Sequence, residues 1–149
     1  MALGDVTQIV AGSLYKVELL ASATGTNGAP SGGSAGIEAN LLSGHGRIPS
    51  TISVEVVSTA GSGTMTVTCR LWGYDGTYWI PLGNSSDGTT KGVLNGGNAI
   101  TECAADILRH AEPVNYPAFV RRLYLEITAI GGTSTAVTGF VVVARDAQA

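Results

Sequence analysis

The stretch that most limits what this chain can become is residues 64–82, which run Thr-Met-Thr-Val-Thr-Cys-Arg-Leu-Trp-Gly-Tyr-Asp-Gly-Thr-Tyr-Trp-Ile-Pro-Leu. Two alternating runs flank Asp75-Gly76, and Asp-Gly supplies the positive φ angles of a two-residue type I′ hairpin turn. That turn opposes Tyr74 with Thr77, Gly73 with Tyr78, Trp72 with Trp79, Leu71 with Ile80 and Cys69 with Leu82. Directly opposed residues share a face of a hairpin, so hydrophobicity tests the register. One face collects Met65, Val67, Cys69, Leu71, Tyr78, Ile80 and Leu82, which is a core face. The other collects Thr64, Thr66, Thr68, Arg70, Trp72, Tyr74 and Trp79. A slip of one residue would scramble both sets.

Further strands read from alternation at residues 14–20, with Tyr15, Val17 and Leu19 on one face, and at 51–56, with Ile52, Val54 and Val56 inward. Residues 60–63, Ala-Gly-Ser-Gly, read as the turn that feeds the hairpin, giving three strands in meander order. Residues 120–130 form a strand with Leu123, Leu125 and Ile127 inward and Arg122, Tyr124, Glu126 and Thr128 outward. Residues 131–135 read as its turn, and the apolar run 136–144 returns as a strand covered on both sides. Residues 101–110 are the one helical candidate, pairing Cys103 with Ile107 and Ala104 with Leu108 at i,i+4; a short strand at Ile107-Leu108 fits the same residues. Pro113 and Pro117 break whatever precedes them. Residues 37–47 stay undefined, with Gly44-His45-Gly46 marking a bend, and residues 83–98 are Gly-, Asn- and Ser-rich. The fold class is therefore all-β, an antiparallel β-sandwich or jelly-roll with long Gly-rich loops and at most one short helix. Residues 1–13 read as an N-terminal arm and 14–149 as one β domain. Within it, residues 21–36 form a long loop without charge and without a large side chain, which is either mobile or ordered against a neighbour.

Composition narrows the function. Only 13% of the 149 residues are charged, against about 25% in an average domain, and mean hydropathy is +0.26. A surface this poor in charge suits a body covered by other subunits. Net charge is −3 with the eight cations scattered. The Arg121-Arg122 doublet points to opposite faces of a strand, so the basic stripe that nucleic acid requires is missing. No run of 18 apolar residues offers a membrane span. The opening residues lack a basic-then-apolar leader, so the chain is expected to fold in a reducing cytoplasm. Cys69 and Cys103 lack metal-ligand spacing, and Cys69 falls on the core face as a buried free thiol.

Catalysis needs a nucleophile, a base and an orienting group brought together. His45 reads as a loop residue and His110 as the partner of Glu112 on a strand face. Asp75 and Asp87 serve turns, while Glu102, Asp106 and Glu112 lack an apolar pocket that would set two carboxylates apart. The glycines of 25–36 precede no Gly-Lys-Ser/Thr, so they form no phosphate loop. The reading is a non-enzyme without cofactor or metal.

What rises above background is the aromatic group Trp72, Tyr74 and Trp79 on the Thr-rich face. Three explanations stay open: cover by a second sheet or by the arm, a stacking platform for sugar rings, or an anchor between subunits, where Trp and Tyr are enriched. Leu3, Val6 and Ile9 are the apolar residues of the arm and complete the set of interaction candidates.

The order Leu71-Trp72-Gly73-Tyr74-Asp75-Gly76, Trp79-Ile80-Pro81-Leu82-Gly83, Gly92-Val93-Leu94-Asn95 and Arg122-Leu123-Tyr124-Leu125-Glu126-Ile127-Thr128 resembles small virion proteins of tailed phages. It looks most like head decoration (cement) proteins, over roughly residues 50–144 and in texture and spacing rather than in a diagnostic motif. The resemblance implies a virion structural protein on the capsid surface, made in the host cytoplasm, that assembles as a homotrimer and clamps the major capsid protein lattice. The alternatives are a carbohydrate- or receptor-binding β-sandwich at a fibre tip, stacking sugars on Trp72, Tyr74 and Trp79, and a tail or connector subunit.

Overall fold

A computed structural model describes residues 2–10, 14–42, 51–83 and 88–144. Eight strands appear in chain order: β1 (Val6–Val10), β2 (Leu14–Ala23), β3 (Ile37–Glu38), β4 (Thr51–Tyr74), β5 (Trp79–Leu82), β6 (Ile100–Thr101), β7 (Arg109–Asn115) and β8 (Arg122–Ala144). All pairings are antiparallel, and the described residues hold no helix as long as seven residues. By hydrogen bonding this is one open sheet, ordered β1-β2-β8-β4-β5, with β3 on β8 and with β6 and β7 on β4.

The frame is the β4–β8 ribbon, whose register runs from Ser53↔Val142 to Tyr74↔Arg122. Both expected turns within it are absent. Residues 60–63 and 131–135 are bends inside two continuous strands, and they face each other across the ladder, where the register shifts between Ser58 and Thr66. A bulge inserts an unpaired residue, raises the local twist and bends the strand. The inward residues of β4 accordingly switch from the even set Ile52, Val54, Val56 to the odd set Met65, Val67, Cys69, Leu71, all buried. Gly61 holds φ +148, and a Cβ there would collide with the Met65 sulfur and the Thr135 backbone. The glycines that read as turns are there to let two strands bend together around Met65.

The bend folds the ribbon back. Leu125 and Gly139 lie fourteen positions apart on β8, which in a straight strand is roughly 46 Å. Instead, a Cβ placed on Gly139 would stand 2.5 Å from Leu125 Cδ2. The two halves of β8 therefore lie over one another, and the inward residues of both halves merge into a single apolar cluster with Val17 and Leu19 of β2 and Ile37 of β3. The apolar return strand is buried without interruption from Thr135 to Val141.

The hairpin forms, two residues out of the expected register. Tyr74 pairs with Trp79, Trp72 with Pro81, Gly73 with Ile80 and Leu71 with Leu82. A four-residue loop replaces the two-residue turn: the Asp75 carboxylate accepts from the Thr77 and Tyr78 amides at 2.7 and 2.6 Å. Only Gly76 takes a positive φ, +99, so the type I′ geometry is not present. Tyr78, assigned to the core face, sits in the loop and is 69% exposed. A slip of two keeps every other residue on its assigned face, since the side-chain period is two.

The helix expected over 101–110 is not there. β6 ends at Thr101, a turn closes between Ala104 and Ile107, with Asp106 at φ +58, and β7 begins at Arg109. Pro113 does not break β7 but lies within it opposite Ser53, which suits a strand paired only to β4. Of the arm, Val6–Val10 is a strand on β2. His45, Asp87, the bend at 44–46 and residues 11–13 lie outside the described residues.

Candidate functional site

The outer face of the β5–β4–β8 half carries four aromatic side chains. Tyr74 and Trp79 are cross-strand partners with ring centroids 4.8 Å apart. Trp72 is the partner of Tyr124 across β4 and β8, and Trp79 meets Tyr124 edge-on at 6.2 Å. All four are half-buried. Offset and edge-on pairs of this kind contribute about 0.5–1.5 kcal/mol each beyond their buried area.

Over Tyr74, Trp79 and Tyr124 lie residues 24–36, a strap that crosses from β2 to β3. No large side chain anchors it; hydrogen bonds do. Trp79 Nε1 donates to the Gly32 carbonyl at 2.8 Å. The Tyr124 hydroxyl donates to the carbonyls of Gly28 at 3.0 Å and Asn27 at 3.3 Å. Burial, and secondarily Glu126, raises the Tyr124 hydroxyl above its ordinary pKa, which keeps it a donor. Arg122 donates through Nε to Ala35 at 2.8 Å and through its terminal nitrogen to Ser34 at 3.1 Å and Gly36 at 3.2 Å. The strap ends on Gly36, at φ +70, where a Cβ would collide with the Leu123 carbonyl. Only glycine lets the chain press this close to β8.

Trp72 stands apart from the strap. Its Nε1 donates to Glu126 Oε1 at 2.9 Å, and the Arg70 guanidinium lies 5.7 Å from its ring. Arg70 in turn donates to the Thr89 carbonyl. Trp72, Tyr74 and Trp79 are thus brought together as the alternation implied, and the loop from 24 onward orders against its own sheet. Tyr124 and Arg122 were legible only as outward residues of a strand. Their pairing with the hairpin depends on the β4–β8 register, which no local pattern carries.

Leu3, Val6 and Ile9 lie at the opposite edge, each about half exposed at 47, 46 and 47%. Among the described strands β1 pairs with β2 alone, and Val6, Thr7, Gln8 and Ile9 are all exposed. Leu3 also reaches back to a cavity of about 300 Å³, where it meets Leu19, Leu20, Ala23, Tyr124 and Leu125.

His110 Nε2 lies 2.7 Å from Glu112 Oε1, and the same oxygen accepts from the Asn95 amide at 2.5 Å, fastening the 3₁₀ turn at Asn95–Gly97 to β7. Cys69 is buried and its thiol is pushed up to about 12, by desolvation first and Glu112 second, so it is no nucleophile at neutral pH. Cys103 is a free, exposed thiol. Among the described residues no group of three or more His, Cys, Asp or Glu could hold a metal ion, and no helix is long and apolar enough to cross a membrane.

No protein-family model matches this chain, and no curated protein or solved structure matches it either.

Proposed function

We propose that this chain is a non-enzymatic virion structural protein, a capsid decoration (cement) protein that sits on the capsid surface of a tailed phage and stabilises the major capsid protein lattice. In this reading the folded-back sheet is a jelly-roll-like β-sandwich, and copies assemble as a homotrimer. The observation that carries it is β1, an edge strand among the described strands, which is without charge and bears Val6 and Ile9 about half exposed. Natural sheets blunt free edges with Lys, Pro or cover, because a bare edge pairs with other chains. A bare edge on a charge-poor body suits a protein that spends its working life against a lattice of neighbours.

The sugar-platform reading draws less support. The N–H groups of both tryptophans already have acceptors, and the strap lies across Tyr74, Trp79 and Tyr124. A tail or connector subunit could use the same edge as a decoration protein. The test is co-sedimentation with expanded heads assembled from the major capsid protein of the same genome. Native protein is expected to pellet with heads, and a variant lacking residues 1–13 is expected to stay in solution with its thermal unfolding transition intact. Pelleting with tails instead would move the assignment to the tail, and unchanged head binding by the truncated variant would remove β1 from the interface.

A further inference from the structure

The outer edge of β8 is not covered by a strand along much of its length. β3 pairs with Arg122 and Leu123, β2 takes over at Val137, and between them no described strand lies alongside. Two bonding positions on this edge are nevertheless filled, by one side chain of the strap. Asn27 Nδ2 donates to the Leu125 carbonyl at 3.1 Å, and Asn27 Oδ1 accepts from the Ile127 amide at 2.8 Å. An amide that bonds a carbonyl at one position and an N–H two positions on reproduces what one residue of a parallel neighbour strand would do through its own N–H and C=O. The side chain stands in for a missing strand.

A second observation lies beside the first. The apolar cavity of about 300 Å³ opens at this edge, between Leu19 and Leu20 of β2 and Tyr124 and Leu125 of β8, with Asn27 and Leu3 in its lining. Strand addition takes its affinity from main-chain bonds and its specificity from pockets for alternate side chains. Both components are present here, and the guard is a segment held by hydrogen bonds rather than by buried side chains.

We propose that the β8 edge at Leu125–Ile127 is a latent strand-acceptor site, that residues 24–36 are its displaceable guard, and that its occupant is an extended, uncharged peptide segment placing one apolar side chain in the cavity. Such a segment replaces Asn27 at Leu125 and Ile127 and lifts the strap from Trp79. The inference is independent of any virion role.

The experiment uses the full chain and a blocked peptide copying residues 6–10, which is uncharged and carries apolar residues at Val6 and Ile9. In Asn27→Ala the Ile127 amide is expected to exchange about tenfold faster, the loss of roughly one hydrogen bond. It should regain protection when the peptide is added, with peptide affinity at least about tenfold above native. Trp79→Phe keeps an aromatic ring but has no indole N–H to bond Gly32, and should raise peptide affinity from the other end of the strap; it serves as the test should Asn27→Ala not fold. A peptide N-methylated at alternate positions cannot make main-chain bonds and should not bind. The proposal is overturned if neither variant binds the peptide more tightly than native protein, or if the N-methylated peptide binds equally well.

Discussion

Two strand edges of this sheet are finished in opposite ways. At β1 no other described strand lies on the outer edge: it is an uncharged strand with Val6 and Ile9 about half in solvent. At β8 the edge is closed by proxy, through Asn27 and a strap tied down by Trp79, Tyr124 and Arg122. Strand edges left open are a liability that natural proteins manage explicitly. One edge is managed here and the other is not, and the difference teaches where to look for the partner. Association is expected at β1 in the resting molecule and at β8 only after the strap has moved.

Four changes would break or sharpen that contrast. The largest effect is expected from Gly36→Ala, which adds a Cβ against the Leu123 carbonyl at a positive φ. It should cost about 3 kcal/mol or more in urea unfolding; a loss below about 1 kcal/mol would mean the strap can step away from β8 freely. Arg122→Ala removes three bonds to strap carbonyls and should cost about 2 kcal/mol, with amide exchange in the strap accelerated and that of β1 unchanged. Ile9→Lys at the bare edge should shift stability by no more than about 0.5 kcal/mol yet abolish co-sedimentation with heads, since Lys is what natural edges use to refuse a neighbour. The smallest effect is local. The Asp75 carboxyl is held below its ordinary pKa first by the Tyr78 amide and then by that of Thr77. A group whose folded pKa is lowered contributes its stabilisation above the unfolded value and loses it as pH falls through the folded one. Protection of the Thr77 and Tyr78 amides should therefore fade on acidification through the carboxylate range, with neither sheet edge affected.

How much of this was legible in the sequence follows from the range over which each signal acts. Face assignment survived well: Met65, Val67, Cys69, Leu71, Leu123, Leu125 and Ile127 are buried as alternation required. It survived even a two-residue error in the hairpin, because alternation is blind to slips of two. Turn assignment failed at 60–63 and 131–135. A Gly-rich run looks the same whether a strand ends or bends, and what decides is the matching run opposite, which here bends with it. The helix over 101–110 failed for a related reason. Its i,i+4 pairs were sterically sound, but Asp106 takes a left-handed conformation that closes a tight turn before β7. The aromatic group was visible as Trp72, Tyr74 and Trp79; the strap that covers Tyr74 and Trp79 was visible as a featureless loop. Nothing local joins the two, since the bonds between Asn27 and Leu125 or Arg122 and Ala35 span 98 and 87 positions.

The bent ribbon has a consequence for how the chain comes to be folded. Ser53 must find Val142, 89 positions away, while Tyr74 finds Arg122, 48 positions away, on the same two strands. Chains dominated by such distant pairings close costly loops before any contact rewards them, and they fold in milliseconds to seconds rather than microseconds. Because both halves of β8 line one apolar cluster, neither half has a finished core until the glycine bends are in place. Pairing is expected to start at the Tyr74–Arg122 end, where the shortest loop on the ribbon closes, and to reach the Ser53 end only through the bend, where Met65 packs beside Gly61 and Gly132.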